Sequence, residues 1–109
     1  MQEPGLDKHE WETEWEALEP LVADSPAEAL SELDNLVERM LVEQGHVIEG
    51  GVDAELEAEA ERDLVGEFLA ARETMRLVEQ GDAVDPGDIA AAVNAYRSVY
   101  QELLSTYLA

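Results

Sequence analysis

The chain has 109 residues, the length of one domain, and carries 27 acidic against six basic side chains for a net charge of −21. Its apolar content of 46% is that of a folded globular protein, so the charge does not mark disorder. No cysteine is present, which excludes disulfides, thiolate metal ligands and a thiol nucleophile.

The first helix is expected over about 7–22. Asp7 and Glu10 have the spacing of a capping pair, and Trp11, Trp15, Leu18 and Val22 follow on one helical face. Glu10 to Glu16 also alternates polar with apolar residues, as a strand does. Glutamate is a poor strand former and the helical spacing continues beyond it, so the segment reads as helix. Pro20 lies inside the pattern and should kink or end it.

The second helix, about 26–44, has the clearest start. Ser25-Pro26-Ala27-Glu28 supplies a capping hydroxyl, a proline at the first helical position and a glutamate at the third. Leu30, Leu33, Val37 and Met40 form its stripe, widened by Leu36 and Leu41. Gly45 is placed to adopt the left-handed backbone that closes a helix. The connection from Gly45 to Val52 contains three β-branched apolar residues and is expected to fold back on the bundle.

A long third helix, about 54–80, is expected to start at an Asp53 cap. Its first half is crowded with Glu55, Glu57, Glu59, Glu61 and Asp63, and its packing face is Leu56, Ala60, Leu64, Phe68, Met75 and Val78. Acids suit the first turn, although like charges four apart, such as Glu57 and Glu61, oppose helix formation slightly. Gly81-Asp82-Ala83-Val84 turns the chain. Asp85-Pro86 then opens a fourth helix, about 86–108, with a capping acid before proline. Ile89, Val93, Tyr96, Tyr100, Leu103 and Tyr107 form a heptad seam along it. The expected fold is an all-α, four-helix, mainly antiparallel bundle in a single domain, with a kinked or short N-terminal helix.

The acids are unevenly spread. Residues 1–85 carry 25 of the 27, and between Ile89 and Leu108 the charges are Arg97 and Glu102 alone. A helix so free of charge is usually covered on more than one side. Either it is the centre of the monomer, or its second face, at Asn94, Ala95, Arg97, Ser98, Gln101 and Thr106, meets another chain. Homodimers are the commonest assemblies, so a homodimer through this helix is the expected partner arrangement.

No catalytic constellation emerges. Glu43-Gln44-Gly45-His46 has the Glu-x-x-His spacing of di-iron bundles, but that site needs two such motifs and two further glutamates. His9 is a lone terminal histidine that reads as surface. Asp82, Asp85 and Asp88 lack the spacing and closing glutamate of a calcium loop. The helical magnesium-dependent nucleotide pyrophosphatases use a Glu-Glu-x-x-Glu segment, and no two of the 19 glutamates here are adjacent. No glycine-rich phosphate loop is present. Trp11 and Trp15 read as core anchors of the first helix, the alternative being an exposed anchor for a partner. The three tyrosines read as packing residues whose hydroxyls reach the bundle edge.

Lys8 is the one lysine. Replacement of long apolar stems by short hydrated carboxylates, spread over several segments, resembles the composition of cytoplasmic proteins of halophilic archaea. Salt at that concentration screens the self-repulsion. No apolar run approaches the ~20 residues that span a bilayer, and Met1-Gln2-Glu3-Pro4-Gly5 lacks the basic start of a secretion signal. Phosphates and anionic lipids repel such a surface. The expectation is a cytoplasmic, non-enzymatic interaction or regulatory module without cofactor or metal, binding neither nucleic acid directly nor membrane. The alternatives are a carboxylate-based divalent-metal enzyme and an acidic mimic of nucleic acid.

Overall fold

A computed structural model describes residues 8–45 and 59–106. These form four helices: α1 (Lys8–Asp24), α2 (Pro26–Glu43), α3 (Glu59–Glu79) and α4 (Pro86–Ser105). No strand occurs among the described residues. The all-α bundle read from the sequence is the fold observed. Asp7, Asp53, Leu56, the connection after Gly45 and Tyr107 lie outside the described residues.

Each helix runs opposite to the one before it, so α2 and α4 are parallel. At one end the Gln44 side chain donates to the Leu103 carbonyl at 3.2 Å, and at the other Pro26 and Pro86 line a common crevice. α2 packs against all three other helices, whereas α1 and α3 flank the α2–α4 pair on opposite sides without packing on each other. The sequence of α2 accounts for this central place. Ala29, Leu30, Leu33, Asp34, Leu36, Val37, Met40 and Leu41 are all buried, which leaves α2 with a covered surface far wider than one stripe. The core is completed by Trp11, Trp15, Phe68, Ala71, Met75, Val93, Tyr96, Val99, Tyr100 and Leu103. The seam of α4 is buried as its heptad spacing implies from Val93 to Leu103, and Ile89 is half-buried.

Pro20 does not end α1, which continues to Asp24. A proline inside a helix loses one backbone bond and costs about 3 kcal/mol. Here Leu18 before it and Leu21 and Val22 after it all pack on the core. Their burial holds the last turn, and the Ser25 N–H bonds the Leu21 carbonyl at 2.7 Å. That bond leaves one residue, Ser25, between α1 and α2.

The two proline starts also differ in detail from expectation. Neither Ser25 nor Asp85 caps its helix with a side-chain hydrogen bond. Ser25 is held at φ −144°, ψ 72° as the joint between two helices, and its carbonyl serves the N–H groups of Glu28 and Ala29. Asp85 has the extended backbone of an N-cap, with its side chain in solvent. Proline at the first position lacks one of the N–H groups that a helix start leaves without an intrahelical partner.

The helix ends follow the glycines. Gly45 and Gly81 adopt φ of +88° and +87°. After α3 the Gly81 N–H bonds Val78 and the Asp82 N–H reaches back to Leu77, which is the Schellman pattern that satisfies the last carbonyls. α4 runs to Ser105, with Thr106 as its C-cap. The Ser105 hydroxyl donates to the Glu102 carbonyl at 2.6 Å and the Thr106 hydroxyl to the Leu103 carbonyl at 2.8 Å. Two hydroxyls thus bond carbonyls of this last turn.

Candidate functional site

The chemistry of the interior is concentrated in one ionic cluster across α2, α3 and α4. Arg72 is buried and grips both carboxylate oxygens of buried Asp34, from Nε at 3.1 Å and from Nη2 at 2.7 Å. The same Nη2 donates to Glu38 at 2.7 Å, and the Tyr96 hydroxyl donates to Asp34 Oδ2 at 2.6 Å. The guanidinium lies 4.7 Å from the centre of the Phe68 ring, which Tyr96 meets edge-on. Every buried side-chain nitrogen or oxygen among the described residues has a hydrogen-bond partner.

Asp34 pushes the Arg72 pKa upward by accepting its hydrogen bonds; burial opposes this, and the charges of Asp34 and Glu38 reinforce it. Burial, the bond to Asp34 and its charge hold the Tyr96 hydroxyl firmly protonated. Arg72 and Tyr96 are thereby each held in their protonated state, as a structural cluster requires and a proton-transfer site does not. Tyr96 departs from expectation here, because its hydroxyl points into the interior to close this cluster.

A second polar assembly joins α1 to α4 at the surface. Trp15 stacks on Tyr100 with ring centroids 4.2 Å apart, and its Nε1 donates to Glu19 at 2.6 Å. Arg97 bonds the same Glu19 oxygen at 2.9 Å and lies 5.5 Å from the centre of the Trp15 ring. Burial raises the Glu19 pKa, but the hydrogen bonds from Arg97 and Trp15 and the Arg97 charge outweigh it and hold the carboxyl below its ordinary value. The Tyr100 hydroxyl is pushed up to about 12 by burial and by the charges of Glu12, Glu16 and Glu19. Trp11 and Trp15 are 2% and 4% exposed, so both are core anchors of the monomer.

The six residues singled out on α4 do not share one environment. Asn94, Ser98 and Gln101 lie exposed along its outer side. Arg97 is engaged with Glu19 of α1, Ala95 packs towards α3 beside Ala70 and Ala71, and Thr106 closes the helix. Ser98 faces the α3 side as well, with its hydroxyl 3.4 Å from Glu67. α4 is therefore not enclosed. Like α2 it packs against all three other helices, yet it keeps Ala91, Asn94, Ser98, Gln101 and Ser105 open to solvent, with Glu102 exposed beside them.

No three histidine, aspartate or glutamate side chains converge on a common point among the described residues. Glu43 ends α2 and Gly45 turns the chain away directly after it; His46 lies outside the described residues. No described helix is long and apolar enough to cross a membrane. No protein-family model, curated protein or solved structure matches the chain.

The sequence reading passed over Asp34, Glu38 and Arg72. One signal was available. Asp34 falls four residues after Leu30 and beside Leu33, and Arg72 falls four after Phe68, so both sit at core-facing positions.

Proposed function

We propose that this protein is a non-enzymatic interaction module of a high-salt cytoplasm, which associates with a second copy of itself through the outer stripe of α4. The observation that carries the reading is the exposed neutral row Ala91, Asn94, Ser98, Gln101 and Ser105, on a helix where Glu102 is the one carboxylate after Asp88, in a chain of net charge −21. It extends about 21 Å at 1.5 Å per residue. Association buries small neutral side chains cheaply and charges at high cost, so a docking face is placed where carboxylates are missing. Two chains this acidic repel one another over every other surface, and molar salt lowers that barrier. The ionic cluster and the Trp15–Tyr100 stack serve as the rigid support that keeps α4 straight and its outer side presented.

Amide NMR spectra recorded over a dilution series in molar potassium chloride test the assignment. Concentration-dependent shifts should concentrate at Asn94, Ser98 and Gln101. Spectra that do not change with concentration, or changes centred on α1 or α2, contradict it.

A further inference from the structure

At the end of the bundle where α2 and α4 begin, an apolar crevice of about 320 Å³ opens between Pro26 and Ala27 on one side and Pro86, Ile89 and Ala90 on the other. This is the lower end of the ~300–1,000 Å³ range of ligand pockets. The sequence explains its character. Both helices start with proline, both prolines line the crevice, and Ile89 in its lining is only half-buried. Glu28 is the one charged residue of the lining.

The surroundings are acidic. Asp24, Glu28, Asp85 and Asp88 are all exposed in the turns that frame the crevice. No lysine or arginine occurs between residues 9 and 38 or between 77 and 96, so neither helix start brings a cation of its own. These carboxylates already occupy the first turns, where helix dipoles favour negative charge, and they repel an anionic ligand.

Lys8, Gly45, Glu59 and Thr106, from which residues 1–7, 46–58 and 107–109 continue, all lie at the opposite end of the bundle. A second copy brings the same acidic rim and is repelled. An apolar floor with a negative rim is complementary to an apolar side chain flanked by positive ones. We propose that this crevice seats a leucine- or phenylalanine-like side chain of a partner protein, held by lysines or arginines on either side of it in the partner's sequence. The site lies off the outer stripe of α4 and does not depend on self-association there.

The probe is the peptide acetyl-Lys-Lys-Leu-Phe-Lys-Lys-amide, followed by calorimetry and amide NMR in 0.5 M potassium chloride. The control is the same peptide with Gly-Ser in place of Leu-Phe. Shifts should be confined to residues 25–28 and 86–90, with the control at least tenfold weaker. Ala90→Phe, at an exposed position, fills the crevice and should weaken binding about tenfold; Glu28→Gln, which leaves the crevice open, should weaken it severalfold. Equal binding of both peptides, shifts spread along the acidic helices, or no binding at all overturns the proposal. Sedimentation of the same samples reports self-association separately, so the two surfaces fail or stand independently.

Discussion

Trp15 and Tyr100 stack nearly parallel, with planes 10° apart and centroids at 4.2 Å, and so fasten α1 to α4 across the bundle. The pair matters because α1 otherwise touches α4 little and leans mainly on α2. Stacked aromatic pairs contribute about 0.5–1.5 kcal/mol beyond the area they bury. Both tryptophans should emit at blue-shifted wavelengths in the native protein and move red on unfolding. In Tyr100→Leu the emission should stay blue while the melting midpoint falls. Red, easily quenched native emission would instead place α1 off the bundle.

Alkaline pH should unfold the protein through the same residue. The Tyr100 hydroxyl, pushed up to about 12 from 10, ionises later in the folded chain than in the unfolded one. Its contribution is full below pH ~10 and is lost as pH rises towards 12, about 3 kcal/mol at 1.36 kcal/mol per unit. Tyr96 acts in the same direction. Absorbance of phenolate in a Tyr107→Phe background should therefore rise together with loss of helical circular dichroism. Phenolate formation near pH 10 without unfolding contradicts the burial of these hydroxyls.

Glu19 has the opposite sign. Its lowered pKa means that its contribution is present above the ordinary carboxylate range and is lost as pH falls through the lower folded value. Glu19 and Arg97 are both over a third exposed, so the effect is small. Glu19→Gln should shift the acid limb of the stability curve slightly, and the alkaline limb slightly as well, because the Glu19 charge helps to hold the Tyr100 hydroxyl protonated. An unchanged acid limb contradicts this.

The ionic cluster predicts a larger effect. Removing one partner of a buried pair leaves a charge without compensation and costs about 3–5 kcal/mol. Asp34→Asn and Arg72→Met should each destabilise on that scale. The double variant Asp34→Asn with Arg72→Met, which leaves no buried charge and keeps an acceptor for the Tyr96 hydroxyl, should lose clearly less than the sum of the two single losses. Denaturant midpoints measure all three. Additive losses in the double variant contradict the pairing.

The core of this bundle was legible in the sequence because its period is simple. Leu30, Leu33, Val37 and Met40 on α2 and Val93, Tyr96, Tyr100 and Leu103 on α4 recur at helical spacing, and all are buried. Asp34 and Arg72 were not legible, since a charge reads as surface until its partner is known, and theirs is 38 residues away. The continuation of α1 through Pro20 was hidden for a related reason. Local propensity opposes it, and what overrides propensity is packing against helices distant in sequence. Of the α4 site, the shortage of charge was visible in the sequence. Which neutral residues face outward was not, because Ala95 and Arg97 are taken up by neighbours that periodicity along α4 does not reveal.

Net charge gives a further expectation. The Debye length falls from ~10 Å at 0.1 M salt to ~3 Å at 1 M, which removes most repulsion between exposed carboxylates. The melting midpoint should rise steeply between low and molar potassium chloride. A midpoint independent of salt contradicts a chain adapted to a salt-rich solvent.

Self-association through α4 is tested most directly by sedimentation equilibrium in molar potassium chloride, comparing the parent with Asn94→Glu/Gln101→Glu. Both substitutions lie on exposed positions and place like charges on both sides of a two-fold interface. The account predicts a parent of twice the chain mass and a double variant of single mass with unchanged helical content. A parent that sediments as a monomer, or a double variant that remains a dimer, contradicts it.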